Sequence, residues 1–160
     1  MNLAPVVVLL ALSADPQQAG GDPDWQKTQL RGVGAIRVIV PRPDARLAQL
    51  GVTGERLKTV AELRLRRAGI RLGADARTEL WVEVSAVTLP SPPLCIVHLA
   101  VSVSEWTDFM LRGLPLKAEL WESGGLLSDT AARCSTAVTD ELEQTVDTFA
   151  NNYWAANSKP

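Results

Sequence analysis

One stretch, residues 94–111 (LCIVHLAVSVSEWTDFML), constrains the fold more than any other part of the chain. Successive side chains of a β-strand point to opposite faces of a sheet, and here the two faces differ in character. One face would carry a mixed set that includes His98 and Trp106. The other would carry the apolar side chains Cys95, Val97, Leu99, Val101 and Val103. The pattern predicts a long strand whose apolar face must be covered by helices.

Three further segments have the composition of strands and are bounded by turn residues. The first is apolar on both sides from Ala35 onward except at Arg37, which is typical of a strand covered on both faces or central in a sheet. In the other two, Trp81 and Trp121 alternate with smaller apolar residues. The predicted strands are residues 29–40, 79–89 and 116–122, and the predicted turns are 90–93, 112–113 and 123–125.

Apolar residues at helical spacing predict two helices. The first is capped by Thr53 and stopped by Gly69, and the second runs from Ser135 to about residue 156. Arg64 falls inside the apolar stripe of the first helix. It either extends its charged end to solvent at the rim of the helix–sheet contact or pairs with a carboxylate such as Glu119 or Asp140.

The order of elements predicts an α+β two-layer sandwich, β-α-β-β-β-α, with a four-stranded mixed sheet and two helices on one face. A helix between the first two strands favours a parallel, right-handed crossover, and the short later connections favour antiparallel hairpins. The chain of 160 residues suffices for one core, which we assign to residues 29–157.

The N-terminus has the pattern of a targeting segment. Residues 3–12 (LAPVVVLLAL) are apolar and are followed by small and polar residues. We interpret residues 1–19 as a signal peptide and 20–28 as a linker, with a buried strand as the alternative. The interpretation predicts export, most simply to the periplasm, and a mature chain without a transmembrane helix.

Two cysteines, Cys95 and Cys134, are expected to meet at one end of the sheet, because the fourth strand should return beside the start of the third. An even count in an exported protein favours a disulfide, and two separate buried thiols are the alternative. A bridge closing a loop of this length stabilises a fold by roughly 4 kcal/mol in the chain-entropy model.

The sequence offers no recognisable catalytic or metal-binding pattern. A net charge of −2 argues against a nucleic-acid partner. His98 is the only histidine, no nucleophile elbow accompanies it, and the cysteines lack zinc-ligand spacing. Gly32-Val33-Gly34 begins like a dinucleotide-binding motif, but Arg37 stands at the third glycine position. We therefore expect no cofactor, metal or catalytic residue; a small hydrolase or transferase centred on His98 is the alternative function.

The aromatic residues give the more informative signal. We expect Trp81, His98, Trp106 and Trp121 on the sheet face that the helices leave open. Large exposed apolar patches usually mark partner surfaces, and tryptophan is over-represented at binding hot spots. We interpret this face as a surface for a protein partner or for a homodimer. Ligand binding, plain cross-strand packing and cover by the N-terminal segment through Trp25 are the alternatives.

Several short segments carry a family resemblance: LRG, LRLRRAGI, ELWVEV, ELWESG and FANNYWAAN. Together they resemble a family of small, exported, uncharacterised bacterial α/β proteins. The element order is also similar to that of the lipoprotein that plugs the outer-membrane lipopolysaccharide translocon and to related envelope assembly domains. Those lipoproteins carry an acylated cysteine after the signal peptide, and this chain has none there. The resemblance implies a non-enzymatic envelope binding or assembly module and carries over no site residues.

Overall fold

The sheet is built around one long strand, β3 (Leu94–Leu111), whose bounds are those predicted. In this computed structural model, which describes residues 23–87, 94–111 and 113–158, β3 is hydrogen-bonded to a neighbour on each side. Its five alternate apolar side chains from Cys95 to Val103 are all buried. The predicted signal peptide, the start of the predicted linker and the proline-rich turn lie outside the described residues.

The remaining elements complete a two-layer α+β fold, as predicted. The strand order is β1-β2-β3-β4, with β1 parallel to β2 and the other two pairs antiparallel. The other elements, in chain order, are α1 (Pro23–Gln29), β1 (Ile36–Ile39), α2 (Ala45–Gln49), α3 (Gly54–Arg67), β2 (Thr78–Val87), β4 (Leu114–Thr130), a 3-10 turn (Ala131–Arg133) and α4 (Cys134–Asn157).

Helix α3 has the ends that its sequence predicts. The Thr53 hydroxyl accepts a hydrogen bond from the Arg56 N–H at 3.3 Å and caps the helix. Gly69, just after the last turn, has φ +77°, a conformation that glycine adopts without steric cost. Leu57 and Leu65 are buried from one face of the helix. Local signals and apolar spacing agree here, which explains why this prediction is confirmed.

The N-terminal part differs from the prediction. Helix α1 begins at Pro23, within the segment assigned to a linker, and β1 has only four residues. The chain between them is held by the end of α4: the Tyr153 hydroxyl donates to the Val33 carbonyl at 3.0 Å, and the Asn157 amide donates to the Leu30 carbonyl at 2.9 Å. Leu30 and Val33 are buried there without belonging to a strand.

Helix α2, a single short turn of helix, was not predicted. The Asp44 carboxylate caps it by accepting from the Arg46 N–H at 2.8 Å. Leu47 is its only buried residue, so it offers no apolar periodicity from which a helix can be recognised.

Strand β4 continues well beyond its predicted end. Gly124 and Gly125 were expected to form a turn, but they pair with Ala100 and Leu99 inside the ladder. A Cβ atom on Gly124 would collide with the Leu99 carbonyl oxygen and lie 2.8 Å from the Ala100 Cα. Glycine is therefore required at position 124 because the backbone of β3 approaches closely, and it does not end the strand.

A β-bulge in β4 reverses the predicted orientation of Trp121. Ser104 pairs with Glu119 whereas Val103 pairs with Trp121, so Leu120 is an extra residue in the ladder. An extra residue moves every later side chain to the other face. Trp121 is consequently 2% exposed and packs edge-on against Phe149 of α4, with ring centroids 5.3 Å apart. Its predicted place on the open face is wrong.

Cys95 and Cys134 form the predicted disulfide, with Cα atoms 5.6 Å apart. The bond joins the start of β3 to the first residue of α4. It thus fixes one end of the helix against the strand that it covers.

Arg64 of α3 pairs across the helix layer, but not with the residues expected from the sequence. Its guanidinium donates to Glu143 and, at 3.2 Å, to Asp147, both on α4. Glu119 and Asp140 are not its partners. The pairing links the two helices at a partly exposed rim.

We expect Gly124→Ala to lower the free energy of unfolding by about 2 kcal/mol or more, because the added methyl group overpacks against backbone that cannot move aside. Gly125→Ala is the matched control, since nothing lies within 4 Å of a Cβ atom there. Urea denaturation followed by circular dichroism measures both. Equal stability of the two variants would contradict the close approach at position 124.

The bulge predicts a second contrast, between two tryptophans. Trp121→Ala should cost about 3–5 kcal/mol of folding free energy because it leaves a cavity beside Phe149. Trp106→Ala should cost about 1 kcal/mol or less, since that side chain is partly exposed. Thermal unfolding compares the two variants, and a larger loss for Trp106→Ala would contradict the bulge.

Candidate functional site

The open face of the sheet holds a buried carboxylate, Glu79, which is only 4% exposed. Three donors reach it. Arg37 Nη2 donates to Oε1, Lys117 Nζ lies 2.7 Å from Oε2, and the Trp81 indole N–H donates to Oε2 at 2.9 Å. Both carboxylate oxygens are therefore satisfied. We call the set of Arg37, Glu79, Trp81, Trp106 and Lys117 the Glu79 cluster.

The strand register brings the cluster together. Side chains that lie opposite each other in a ladder share a face of the sheet. Arg37 of β1 pairs with Glu79 of β2, and Trp106 of β3 pairs with Lys117 of β4. Each of the four strands thus contributes at least one residue, and the cluster exists only when the whole sheet has formed.

The donors keep Glu79 ionised. Burial by itself raises the pKa of a carboxyl group, and it is the largest single influence on Glu79. Hydrogen bonds from Lys117, Arg37 and Trp81 act together in the opposite direction and prevail. The pKa of Glu79 falls from its ordinary 4.5 to about 2. A carboxylate with so low a pKa is a poor general acid or base near neutral pH.

The same interactions hold two indole rings in place. The Lys117 ammonium lies 4.3 Å from the centroid of the Trp81 ring and 5.7 Å from that of Trp106. Cation–π contacts at these distances stabilise by about 0.5–1 kcal/mol at exposed sites and more when desolvated. Beside them is a shallow depression of about 320 Å³, lined by Trp81, Glu83, Ser102, Ser104, Lys117 and Glu119.

Arg37 belongs to the cluster, and a second arginine, Arg77, borders it. Arg37 donates to the Ala74 carbonyl at 3.3 Å, while its buried Nε has no hydrogen-bond partner among the described residues. Arg77, just before β2, forms an ion pair with Asp108 of β3. The hydrogen bond and charge of Arg77 hold the pKa of Asp108 below its usual range. This second pair is exposed and marks the end of the sheet next to the β3–β4 turn.

The structure separates the residues predicted to share the partner surface. Trp81 is half-buried and Trp106 is 38% exposed, and both lie on the open face. His98 is also on this face but farther along β3, between Ser85 and Leu126 in the ladders. Its side chain is exposed and makes no hydrogen bond among the described residues. Trp121 lies on the opposite face, beneath α4.

Sequence reasoning missed Arg37, Glu79 and Lys117 as site residues. A signal was present, since Arg37 is the one charged residue in an otherwise apolar strand. A charge at such a position needs a partner. Glu79 stands at the start of the second predicted strand, but only the parallel register identifies it as the partner of Arg37.

The described residues contain neither a candidate metal site nor a candidate membrane-spanning helix. They contain no group of three or more His, Cys, Asp or Glu side chains placed to hold a metal ion. In the same part of the chain, no helix has the length and apolar character needed to cross a lipid bilayer.

The fold and the cluster define a class: a mixed-sheet α+β domain with helices on one face and an aromatic, ion-paired open face on the other. No family model matches the chain, and no curated protein matches it. Among solved structures it is similar to a single-substitution variant of the PelC dodecamer from Paraburkholderia phytofirmans, crystallised in space group C2. The TM-score is 0.49, with 15% identity over 71% of this chain and 86% of that chain.

Two further structures are similar to a lesser degree. The PelC dodecamer from the same organism in space group P6 has a TM-score of 0.46 and 16% identity, over 71% of this chain and 86% of that one. A minor lipoprotein from Acinetobacter baumannii has a TM-score of 0.44 and 15% identity, over 81% and 99%. Likeness at this level assigns neither a family nor an activity.

The cluster predicts a specific pH dependence. A pKa lowered from 4.5 to about 2 means that the unfolded chain binds a proton more readily than the folded one. The ionised Glu79 should contribute on the order of 3 kcal/mol to stability above pH 4.5, and this contribution should disappear as the pH falls toward 2. Urea denaturation across this range should show that Glu79→Gln removes that part of the dependence and is destabilised at neutral pH.

Glu83→Gln is the matched control for Glu79→Gln. Glu83 lies on the same strand and face, but it is exposed and forms no ion pair among the described residues. Its variant should keep the parental stability at neutral pH. A Glu79→Gln protein as stable as Glu83→Gln would show that the ion-paired carboxylate is not a structural element.

Proposed function

We propose that the chain is a non-enzymatic binding or assembly module of the cell envelope that engages a protein partner through the open face of its sheet. The observation that carries the proposal is the Glu79 cluster, which fixes Trp81 and Trp106 on a face that no described helix covers. Rigid aromatic side chains bind with little loss of conformational entropy. Tryptophan is enriched among the residues that dominate interface energies.

The charges of this face indicate the chemistry of the partner. Lys117 is already paired with Glu79, whereas Glu83, Glu119 and Glu122 are exposed around the tryptophans. The rim is therefore acidic. A partner with an apolar centre and arginine or lysine at its margin would complement both features, and opposite charges across an interface favour specificity and fast association.

Two observations support an envelope location. The Cys95–Cys134 disulfide is a bond that persists in oxidising compartments such as the bacterial periplasm. The apolar segment 3–12 is the second, because it has the pattern of a signal-peptide core. Export to the periplasm accounts for both.

The states of two titratable side chains, Glu79 and His98, support a non-enzymatic role. Glu79 is engaged by three donors and carries a low pKa. His98 is exposed, and its neighbours across the ladders are Ser85 and Leu126. It does not line the depression beside the cluster. A hydrolase or transferase centred on His98 would require a base and a nucleophile held together by hydrogen bonds.

Site-specific photo-crosslinking in intact cells tests the proposal. A photoreactive amino acid at Glu122 or Leu126, both exposed on the open face, should capture the same protein. The same probe at Leu63 is the matched control, because Leu63 is 43% exposed but belongs to α3. Capture of that protein from position 63 with equal yield would contradict a role for the open face.

The Trp106→Ala variant measures how much one side chain of the open face contributes to partner binding. Trp106→Ala should lower the crosslinking yield or affinity about tenfold, which corresponds to a loss of about 1.4 kcal/mol at a binding hot spot. Leu63→Ala should leave it unchanged. A crosslinked product formed by two copies of this chain would instead identify the partner as a second copy, and the module would then be a structural homodimer.

A further inference from the structure

The turn between β3 and β4 carries an unusual concentration of exposed apolar side chains. Five of them lie within residues 109–116 and are between 36% and 71% exposed: Phe109, Met110, Leu111, Leu114 and Leu116. None belongs to the core. The fold therefore leaves much of their apolar surface in water, and another environment would account for their apolar character.

The register shows that this segment is apolar on both faces. Leu111 pairs with Leu114, and the adjacent pair is Met110 with Pro115. Adjacent pairs in a ladder point to opposite faces, so each face of the two-stranded ribbon carries an apolar pair. Strand β2 does not extend this far, because its pairing with β3 ends at Glu105. The described residues of the hairpin tip (109–111 and 113–116) thus extend beyond the end of β2.

The size of the tip favours a lipid surface over a protein interface. A stable protein–protein interface uses about 20–30 residues from each partner, whereas the tip has only about eight. A partner protein would also have to enclose both faces of the ribbon. A bilayer surrounds an inserted segment on all sides and requires no shape complementarity.

Aromatic and charged side chains lie at the base of the tip, where a membrane-inserted segment would meet water. Trp106 and Lys117 form one pair across the ladder, and the Arg77–Asp108 ion pair lies beside it. Tryptophan and long cationic side chains are the residues that concentrate where a membrane meets water.

We infer that the hairpin tip is a lipid-contacting element that inserts into the headgroup and outer acyl region of a phospholipid bilayer as far as the Trp106–Lys117 pair. The inference does not require the protein partner proposed for the open face, although the two surfaces share the Trp106–Lys117 pair. A single small apolar element of this kind binds reversibly, as a single acyl chain does, and does not anchor the protein permanently.

A pair of fluorescent reporters in the full chain tests the insertion. Phe109→Trp places an additional indole on the tip, and Leu126→Trp places one on the open face at a position of similar exposure. Each is mixed with vesicles of phosphatidylethanolamine and phosphatidylglycerol, with or without brominated acyl chains, which quench nearby indoles. We expect the emission added at position 109 to be quenched about twofold or more and that at position 126 to be unchanged.

Quenching reports which added indole lies next to lipid. Vesicle binding through residues 3–12 would therefore not by itself quench the indole at position 109 more than the one at position 126. Absence of quenching at position 109 would overturn the inference. Equal quenching at positions 109 and 126 would contradict insertion by the tip alone and would place the open face on lipid.

Two substitutions that remove apolar side chains from the tip complete the test. Leu111→Asn and Leu114→Asn are introduced together into the Phe109→Trp protein. They should weaken its binding to vesicles about tenfold or more, because two apolar side chains that would enter the lipid are lost. Leu126→Asn is the control and should have no effect. Circular dichroism should confirm that all variants remain folded, since the substituted side chains are exposed. Loss of self-association in sedimentation, with vesicle affinity unchanged, would identify the tip as a contact between copies and overturn the inference.

Discussion

The structure depends on the position of β3, which is hydrogen-bonded on both sides and has one face that is apolar and buried from Cys95 to Val103. That face requires helices, and the Cys95–Cys134 bond attaches α4 to the start of the same strand. Since the described helices α3 and α4 lie on one side, the other side of β3 remains available to solvent. The asymmetry of a single strand therefore produces both the core and the surface on which function is proposed.

The Glu79 cluster shows how an open sheet face can remain ordered without a covering layer. Removing a carboxylate from water costs several kcal/mol, and only close opposite charges and hydrogen bonds offset this. Arg37, Lys117 and the Trp81 indole supply them, and the low pKa of Glu79 shows that they prevail. Because the charge is satisfied only in this geometry, the rings of Trp81 and Trp106 are held in fixed positions.

Features that depend on local pattern were predictable from the sequence, and features that depend on register were not. Alternation gave the bounds of β3, capping and apolar spacing gave α3, and strand direction brought the cysteines together. Trp121 was misplaced because one extra residue, Leu120, reverses the alternation, and nothing in the sequence marks a bulge there. Gly124 was taken for a turn because glycine required by close backbone approach and glycine in a turn look identical in a sequence. Of the site, Trp81 and Trp106 were predicted, whereas Glu79, which accepts from Trp81, and Lys117, which contacts both rings, were not.

The two proposed surfaces meet at the Trp106–Lys117 pair, which belongs to the open face and also borders the hairpin tip. A protein that covered Trp106 completely and a bilayer that reached the same ring would exclude each other. A protein bound at the far end of the face, around Leu126, would leave the ring free and allow both contacts at once. Binding linkage is reciprocal, so the factor by which lipid changes the partner's affinity equals the factor by which the partner changes the affinity for lipid. Measuring either factor locates the partner relative to Trp106. If lipid and partner compete, the partner covers the Trp106 ring; if they bind independently, the partner lies toward Leu126.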